Sequence, residues 1–195
     1  MAYIELVADE AAGDAGDLFE ADRAQRGYLP NYTRAFGHRP EAYRAWRALV
    51  GAIAGQMDER RYELATLAAA RRLRSSYCAL AHGKVLADKF LSDEEVAAIA
   101  RDGPVAAVDD VDRAVMELAD QVAADAASVT QEDVDRLRSL GLSDADVMDV
   151  VLAAAVRCFY SKALDALGVE ADAAYRELPP VLRDALTVGR PIEPM

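Results

Sequence analysis

Cysteine is almost missing from this chain: Cys78 and Cys158 are the only two in 195 residues, too few for a disulfide framework. Histidine is limited to His38 and His82, and lysine to Lys84, Lys89 and Lys162. Positive charge is also in deficit, with 22 basic against 34 acidic residues and a net charge of −12. Such a balance repels phosphate backbones and anionic lipid, which argues against nucleic-acid and membrane-surface binding. Long apolar runs are absent: the longest uncharged stretch, Ala48 to Met57, has ten residues, where a bilayer crossing needs ~20. The N-terminus meets Glu5, Asp9 and Glu10 at once, without a basic n-region or an apolar h-region. The expectation is therefore a soluble cytoplasmic protein. No phosphate-binding glycine loop, dinucleotide fingerprint or zinc-type Cys/His cluster is found, so neither metal nor organic cofactor is expected.

What the sequence has in abundance is alanine, 41 residues of it. Alanine is the best helix former, and the β-branched residues are mostly valines at helical spacing. No segment alternates with the period of two that a half-buried strand shows. The reading is an all-α fold, a compact multi-helix bundle built around antiparallel helical hairpins, forming one domain over residues 1–195. Breaks and caps predict helices at Asp14 to Arg26, Asn31 to Phe36, Pro40 to Ala54, Glu59 to Leu73 and Tyr77 to Phe90. Four more are expected at about Ser92 to Asp102, Asp110 to Asp125, Thr130 to Leu140 and Ser143 to Leu167. The tail after Pro179 and Pro180 reads as surface or as a contact with a neighbouring subunit. An acidic, Pro-containing stretch from Asp102 to Asp110 is the best internal boundary. A faint echo across it, Leu67-Ala-Ala-Ala-Arg71-Arg72 against Leu152-Ala-Ala-Ala-Val156-Arg157, suggests a duplicated hairpin with halves 1–103 and 104–195.

Four residues form the candidate site. Ser75, Cys78 and His82 are spaced by three and four, so one helix presents them on one face. Glu63 lies on the preceding helix. If the two helices form a hairpin turning near Leu73, Glu63 and His82 stand at similar depth, at ~1.5 Å per residue. A Glu that orients a His, which in turn takes the proton of a Cys, is the logic of an activated thiol. The helix N-terminus adds a dipole that favours thiolate. Taken singly, each residue has a plainer reading: a lone Cys in an Ala-rich helix is a small buried apolar group, a lone His is structural, and Ser75 is an N-cap. His38 reads as a loop residue, Trp46 and Phe36 as core or interface, and Tyr77 as core or pocket wall. Arg71 and Arg72 read as snorkelling side chains or as guides for an anionic substrate.

As a spaced set, Glu63-x11-Ser75-x2-Cys78-x3-His82 resembles the signature of the alkylhydroperoxidase D-like family, which includes the carboxymuconolactone decarboxylases. The run "YLPNYTRAFGHRPEAYRAWRAL" is similar to the lead-in of its peroxidase-related subgroup, and the resemblance covers about Tyr28 to Ala87. It implies an all-helical scaffold and a peroxidase in which two cysteines cycle between dithiol and disulfide. Here the first of those cysteines is Ser75, so the two-cysteine cycle is unavailable. A one-cysteine cycle resolved by an external thiol is what remains.

The resulting expectation is a thiol-dependent hydroperoxide reductase. Cys78 is its nucleophile, His82 its base and Glu63 the group that polarises His82; Ser75 donates a hydrogen bond to the sulfur or to the leaving oxygen. Two rivals stand beside it. One is a decarboxylase-like enzyme on a small carboxylated substrate, with His82 and Glu63 moving protons. The other is a non-catalytic scaffold binding a small ligand or partner. The expected partners are a small-molecule peroxide or carboxylated substrate and an external thiol reductant, with no nucleic acid and no membrane. Assembly is expected as a homo-oligomer, with the family resemblance favouring a trimer or hexamer and a dimer allowed. The apolar stretch Val147 to Val156 reads as central to the core or shared with a neighbour.

Overall fold

The structure is a computed structural model that describes residues 2–104 and 108–194. Its described part is helical, with no strand beyond one isolated bridge between Ala171 and Ile192. Ten α-helices follow in order: α1 (Asp14–Arg26), α2 (Asn31–Phe36), α3 (Pro40–Ala54), α4 (Glu59–Arg72), α5 (Ser76–Lys89), α6 (Asp93–Asp102), α7 (Asp110–Asp125), α8 (Gln131–Ser139), α9 (Asp144–Ala166) and α10 (Pro180–Leu186). Three residues of the proposed internal boundary, 105–107, lie outside the described residues. No described helix is long and apolar enough to cross a membrane.

Local chemistry sets most helix starts. Ser92, Thr130 and Ser143 each close a capping box, with Glu95, Asp133 and Asp146 respectively. Asp58 caps α4 by accepting from the Arg61 N–H. Each device satisfies backbone donors that the first turn leaves without partners.

α4 is the axis of the fold. From Leu64 to Ala70 every residue is buried, because α5, α7 and α9 cover it on different sides. A run of alanines allows that close approach. The link to α7 includes a charge pair in which Arg60 reaches the buried carboxylate of Asp112 at 2.8 Å. One apolar core contains Leu64 and Leu80 together with Val115, Met116 and Leu164, so helices on both sides of residues 102–110 share it. α9 packs on α4, α7 and α3, with Val147, Val150, Ala153 and Ala154 turned inward. Its other face leaves Met148 and Phe159 exposed, as is Leu49 on α3.

The C-terminal tail departs from the expectation of a surface segment. Leu182 and Leu186 are buried, and α10 packs on α5 and α6. Pro179 and Pro180 only start the helix there. Beyond it, the Gly189 N–H donates to Ser76 Oγ at 2.8 Å. A Cβ on Gly189 would stand 1.8 Å from the carbonyl oxygen of Arg74, so only glycine fits. Arg74 itself adopts the left-handed region, φ 56°, in the tight turn between α4 and α5.

A second long-range tie involves Asp172, which is 3% exposed. Its carboxylate accepts from the Asn31 N–H at 2.7 Å, the Tyr77 hydroxyl at 2.5 Å and the Tyr28 hydroxyl at 3.1 Å. The C-terminal segment is thereby fixed to α2 and α5. Replacing Asp172 by Ala strands these donors, and the expected loss is about 2–4 kcal/mol of unfolding free energy in urea titrations. A loss within experimental error would show that the tie is not structural.

Candidate active site

α4 and α5 run antiparallel from the turn at Arg74, which brings Glu63 against His82. The Nδ1 of His82 lies 2.6 Å from Glu63 Oε2. With the carboxylate ionised, Nδ1–H is the donor and Nε2 is left as the basic nitrogen. Both side chains are largely buried, at 14% and 10% exposure. Burial, followed by the positive charge of Arg157, lowers the imidazole pKa below its ordinary 6.5, and Glu63 opposes the shift. The ring is therefore neutral at neutral pH.

Cys78 occupies the first turn of α5 and is buried. Its sulfur takes its hydrogen bonds from α9. Ser161 Oγ donates at 3.1 Å, and the Arg157 guanidinium stands at 3.6 Å. Arg157 is 3% exposed and has no carboxylate partner among the described residues. A buried cation without a counter-charge is costly, and the Cys78 sulfur is the atom this guanidinium is aimed at.

Cys78, His82, Glu63 and Arg157 open onto one cavity of about 380 Å³. Seven aromatic side chains line it: Tyr32, Tyr43, Trp46, Tyr62, Tyr77, Tyr160 and Tyr175. Trp46 and Tyr160 are stacked with ring centroids 4.0 Å apart, and Phe36 stacks behind Tyr160 at 5.4 Å. Tyr62 meets the His82 ring edge-on at 6.2 Å. Tyr32, from the short helix α2, lines the cavity of its own chain.

Ser75 stands apart from this group. It is the N-cap of α5, fully buried and outside the cavity lining, and its hydroxyl makes no hydrogen bond to the sulfur among the described contacts. The serine that donates to sulfur is Ser161, not Ser75. His82 makes no direct hydrogen bond to Cys78 among the described contacts; the two stand one turn apart on α5 and both line the cavity. Cys158 is half-buried and outside the cavity lining, and its neighbour Arg157 takes the inward direction. His38 bonds the Glu5 carbonyl at 2.8 Å, away from the cavity. Arg71 is bonded to the Ala100 carbonyl and Arg72 to Asp120; the arginines lining the cavity are Arg26, Arg47 and Arg157. No group of three or more His, Cys, Asp or Glu side chains among the described residues could hold a metal ion.

Sequence reasoning missed Arg157 and Ser161. The signal for the first was an arginine inside the most apolar helix, flanked by Val156, Cys158 and Phe159; the second follows one turn later on the same face.

Two outcomes follow. In a Cys158→Ser background, Ser161→Ala and Arg157→Met should each slow alkylation of Cys78 by iodoacetamide at neutral pH, by about tenfold for the arginine, since charged donors are the stronger ones. Unchanged rates would separate these residues from the thiol. An NMR titration of the two histidines should place His82 below 6.5. Glu63→Gln should lower it further and Arg157→Met should raise it. Because the fold favours the neutral ring, this group's contribution to stability is complete above 6.5. It is lost as pH falls through the folded value. A midpoint at or above 6.5 would contradict that sign.

Residues 40–121, which include Glu63, Cys78 and His82, match the carboxymuconolactone decarboxylase family. No curated protein matches the chain. Among solved structures, an uncharacterized peroxidase-related protein from Ralstonia eutropha JMP134, with an alkylhydroperoxidase AhpD core, superposes with a TM-score of 0.81 at 21% identity, over 89% of this chain and 94% of that one. A peroxidase-related protein from Silicibacter sp. TM1040 gives 0.81 at 20% identity, over 90% and 94%. The debrominase Bmp8, as a cysteine-to-alanine variant in complex with 2,3,4-tribromopyrrole, gives 0.76 at 18%, over 95% of this chain and all of that one. Residues 40–121 are thus similar to the carboxymuconolactone decarboxylase family, and the chain shares the fold of these peroxidase-related proteins.

Proposed function

We propose that the protein is a one-cysteine, thiol-dependent reductase of organic hydroperoxides. The observation that carries this reading is the environment of Cys78. It is a thiol in the first turn of a helix, facing a hydroxyl and a guanidinium with no carboxylate partner among the described residues, and a neutral imidazole held by a carboxylate stands one turn further along the same helix.

His82 Nε2 accepts the thiol proton through the cavity, and Arg157 and Ser161 hold the thiolate. The sulfur attacks the distal oxygen of the hydroperoxide, the O–O bond breaks, and the alkoxide takes the proton back from His82. Sulfur is oxidised by two electrons to Cys78 sulfenic acid, and the hydroperoxide is reduced to an alcohol. One external thiol then condenses with the sulfenic acid, releasing water and forming a mixed disulfide. A second thiol frees Cys78 and leaves as a disulfide with the first. In sum, one hydroperoxide and two thiols give one alcohol, one water and one disulfide.

The alternative in which His82 and Glu63 move protons and the cysteine is incidental leaves Arg157 without a purpose at the sulfur. A second reading is supported by the aromatic walls and by the fold shared with a debrominase that binds a bromopyrrole. In it the same thiolate takes the bromine from the ring as S–Br while the ring carbon takes a proton. One external thiol then displaces bromide to give a mixed disulfide, and a second thiol frees Cys78 and leaves as a disulfide with the first. Cys78 is the nucleophile in both readings, and release of bromide from a bromopyrrole would favour the second.

For assembly, we place a second copy against the uncharged face formed by Leu49, Ile53, Leu152 and Phe159. Light scattering should then give a multiple of 21.0 kDa; a monomer mass would reject it.

With cumene hydroperoxide and a small dithiol, the wild type and Cys158→Ser should turn over at similar rates. Cys78→Ala should fall to background, and Glu63→Gln should lose about 10²-fold or more, in the range of lost acid–base catalysis. Equal rates in the wild type and Cys78→Ala would sink the assignment.

A further inference from the structure

The cavity's charge is opposite to that of the chain. With a net charge of −12 overall, the charged residues lining the cavity are Arg26, Arg47, Arg157 and Glu63. Glu63 is committed to His82, and Arg157 faces the Cys78 sulfur. Arg47 is paired at 2.7 Å with the buried carboxylate of Asp22. The other oxygen of that carboxylate accepts from Thr33 and Tyr43.

Arg26, one turn beyond Asp22, is left over. It is exposed at the rim, its guanidinium lies 5.6 Å from the centre of the Tyr32 ring, and it pairs with no carboxylate among the described residues. A cation in the last turn of a helix is ordinary. What sets Arg26 apart is that it lines a cavity whose inner walls are aromatic rings and whose floor is a thiol.

We infer that the cavity takes an aromatic molecule carrying an anionic group, with the ring laid against the aromatic wall that Trp46, Tyr160 and Tyr43 form and the anion at Arg26. An aromatic ring gains from edge and face contacts along these walls. An anion at the rim meets a guanidinium that is charged at every working pH and has no carboxylate partner among the described residues. The end of the molecule remote from the anion is then delivered to Cys78. Only this last point rests on the thiol reading above; the binding preference stands without it.

The reporter is built in. Trp46 is the only tryptophan in the chain and lines the cavity, so its emission reads occupancy without peroxide or reductant. The full chain is titrated with phenylacetate, with its uncharged counterpart phenylacetamide and with the non-aromatic anion cyclohexylacetate. Phenylacetate should bind about tenfold more tightly than either, the scale of one charge-assisted contact. Arg26→Gln should erase the advantage of acid over amide while leaving the amide's affinity unchanged. Arg26 is the arginine to replace, because removing Arg47 would strand the buried Asp22. Equal affinity for acid and amide, equal affinity for ring and cyclohexyl, an acid advantage that survives Arg26→Gln, or no response to any probe would each overturn the inference. Failure of peroxide turnover would leave this result untouched, so the two readings fall separately.

Discussion

A guanidinium buried at 3% exposure with a cysteine sulfur as its nearest charge-accepting group constrains everything around it. Desolvating an ion without a partner costs several kcal/mol. The fold could remove that cost by replacing Arg157 with another apolar residue of α9, as at Val150, Ala153 and Ala154. It keeps the charge instead and aims it at Cys78. The same charge helps to hold His82 neutral, second only to burial. One buried cation therefore faces the Cys78 sulfur and helps to keep His82 in its proton-accepting form.

That arrangement needs three helices in fixed register. α4 brings Glu63, α5 brings Cys78 and His82, and α9 brings Arg157 and Ser161. Their close approach depends on small side chains along α4, where Ala65, Ala68, Ala69 and Ala70 are buried. Asp172 and the C-terminal tail hold the outer wall by tying Tyr77 and α2 in place. The segment after Pro179 thus belongs to the scaffold of the cavity.

The parts of this account that depend on local physics were legible in the sequence. Capping boxes at Ser92, Thr130 and Ser143 and the prolines and glycines at helix ends mark boundaries within a residue or two. Helical spacing with a hairpin turn is enough to pair Glu63 with His82. What local spacing cannot carry is a contact between residues about 80 positions apart. Arg157 and Ser161 reach Cys78 from α9, and Ser75, three residues before the cysteine, was given a role that belongs to Ser161. The burial of Leu182 and Leu186 was hidden in the same way, because a Pro-Pro pair reads as an ending when it is the first turn of another helix.

The central claim is that Cys78 alone carries the redox chemistry, as a thiolate with Arg157 for its counter-charge. Its most direct test is mass spectrometry of the protein after one equivalent of hydroperoxide in the presence of dimedone, a trap for sulfenic acid. The account predicts one dimedone adduct per chain, on Cys78, with Cys158 unmodified, and a marked loss of that adduct in Arg157→Met. A disulfide between Cys78 and Cys158, or a chain in which Cys78 stays unmodified while the hydroperoxide is consumed, would contradict it.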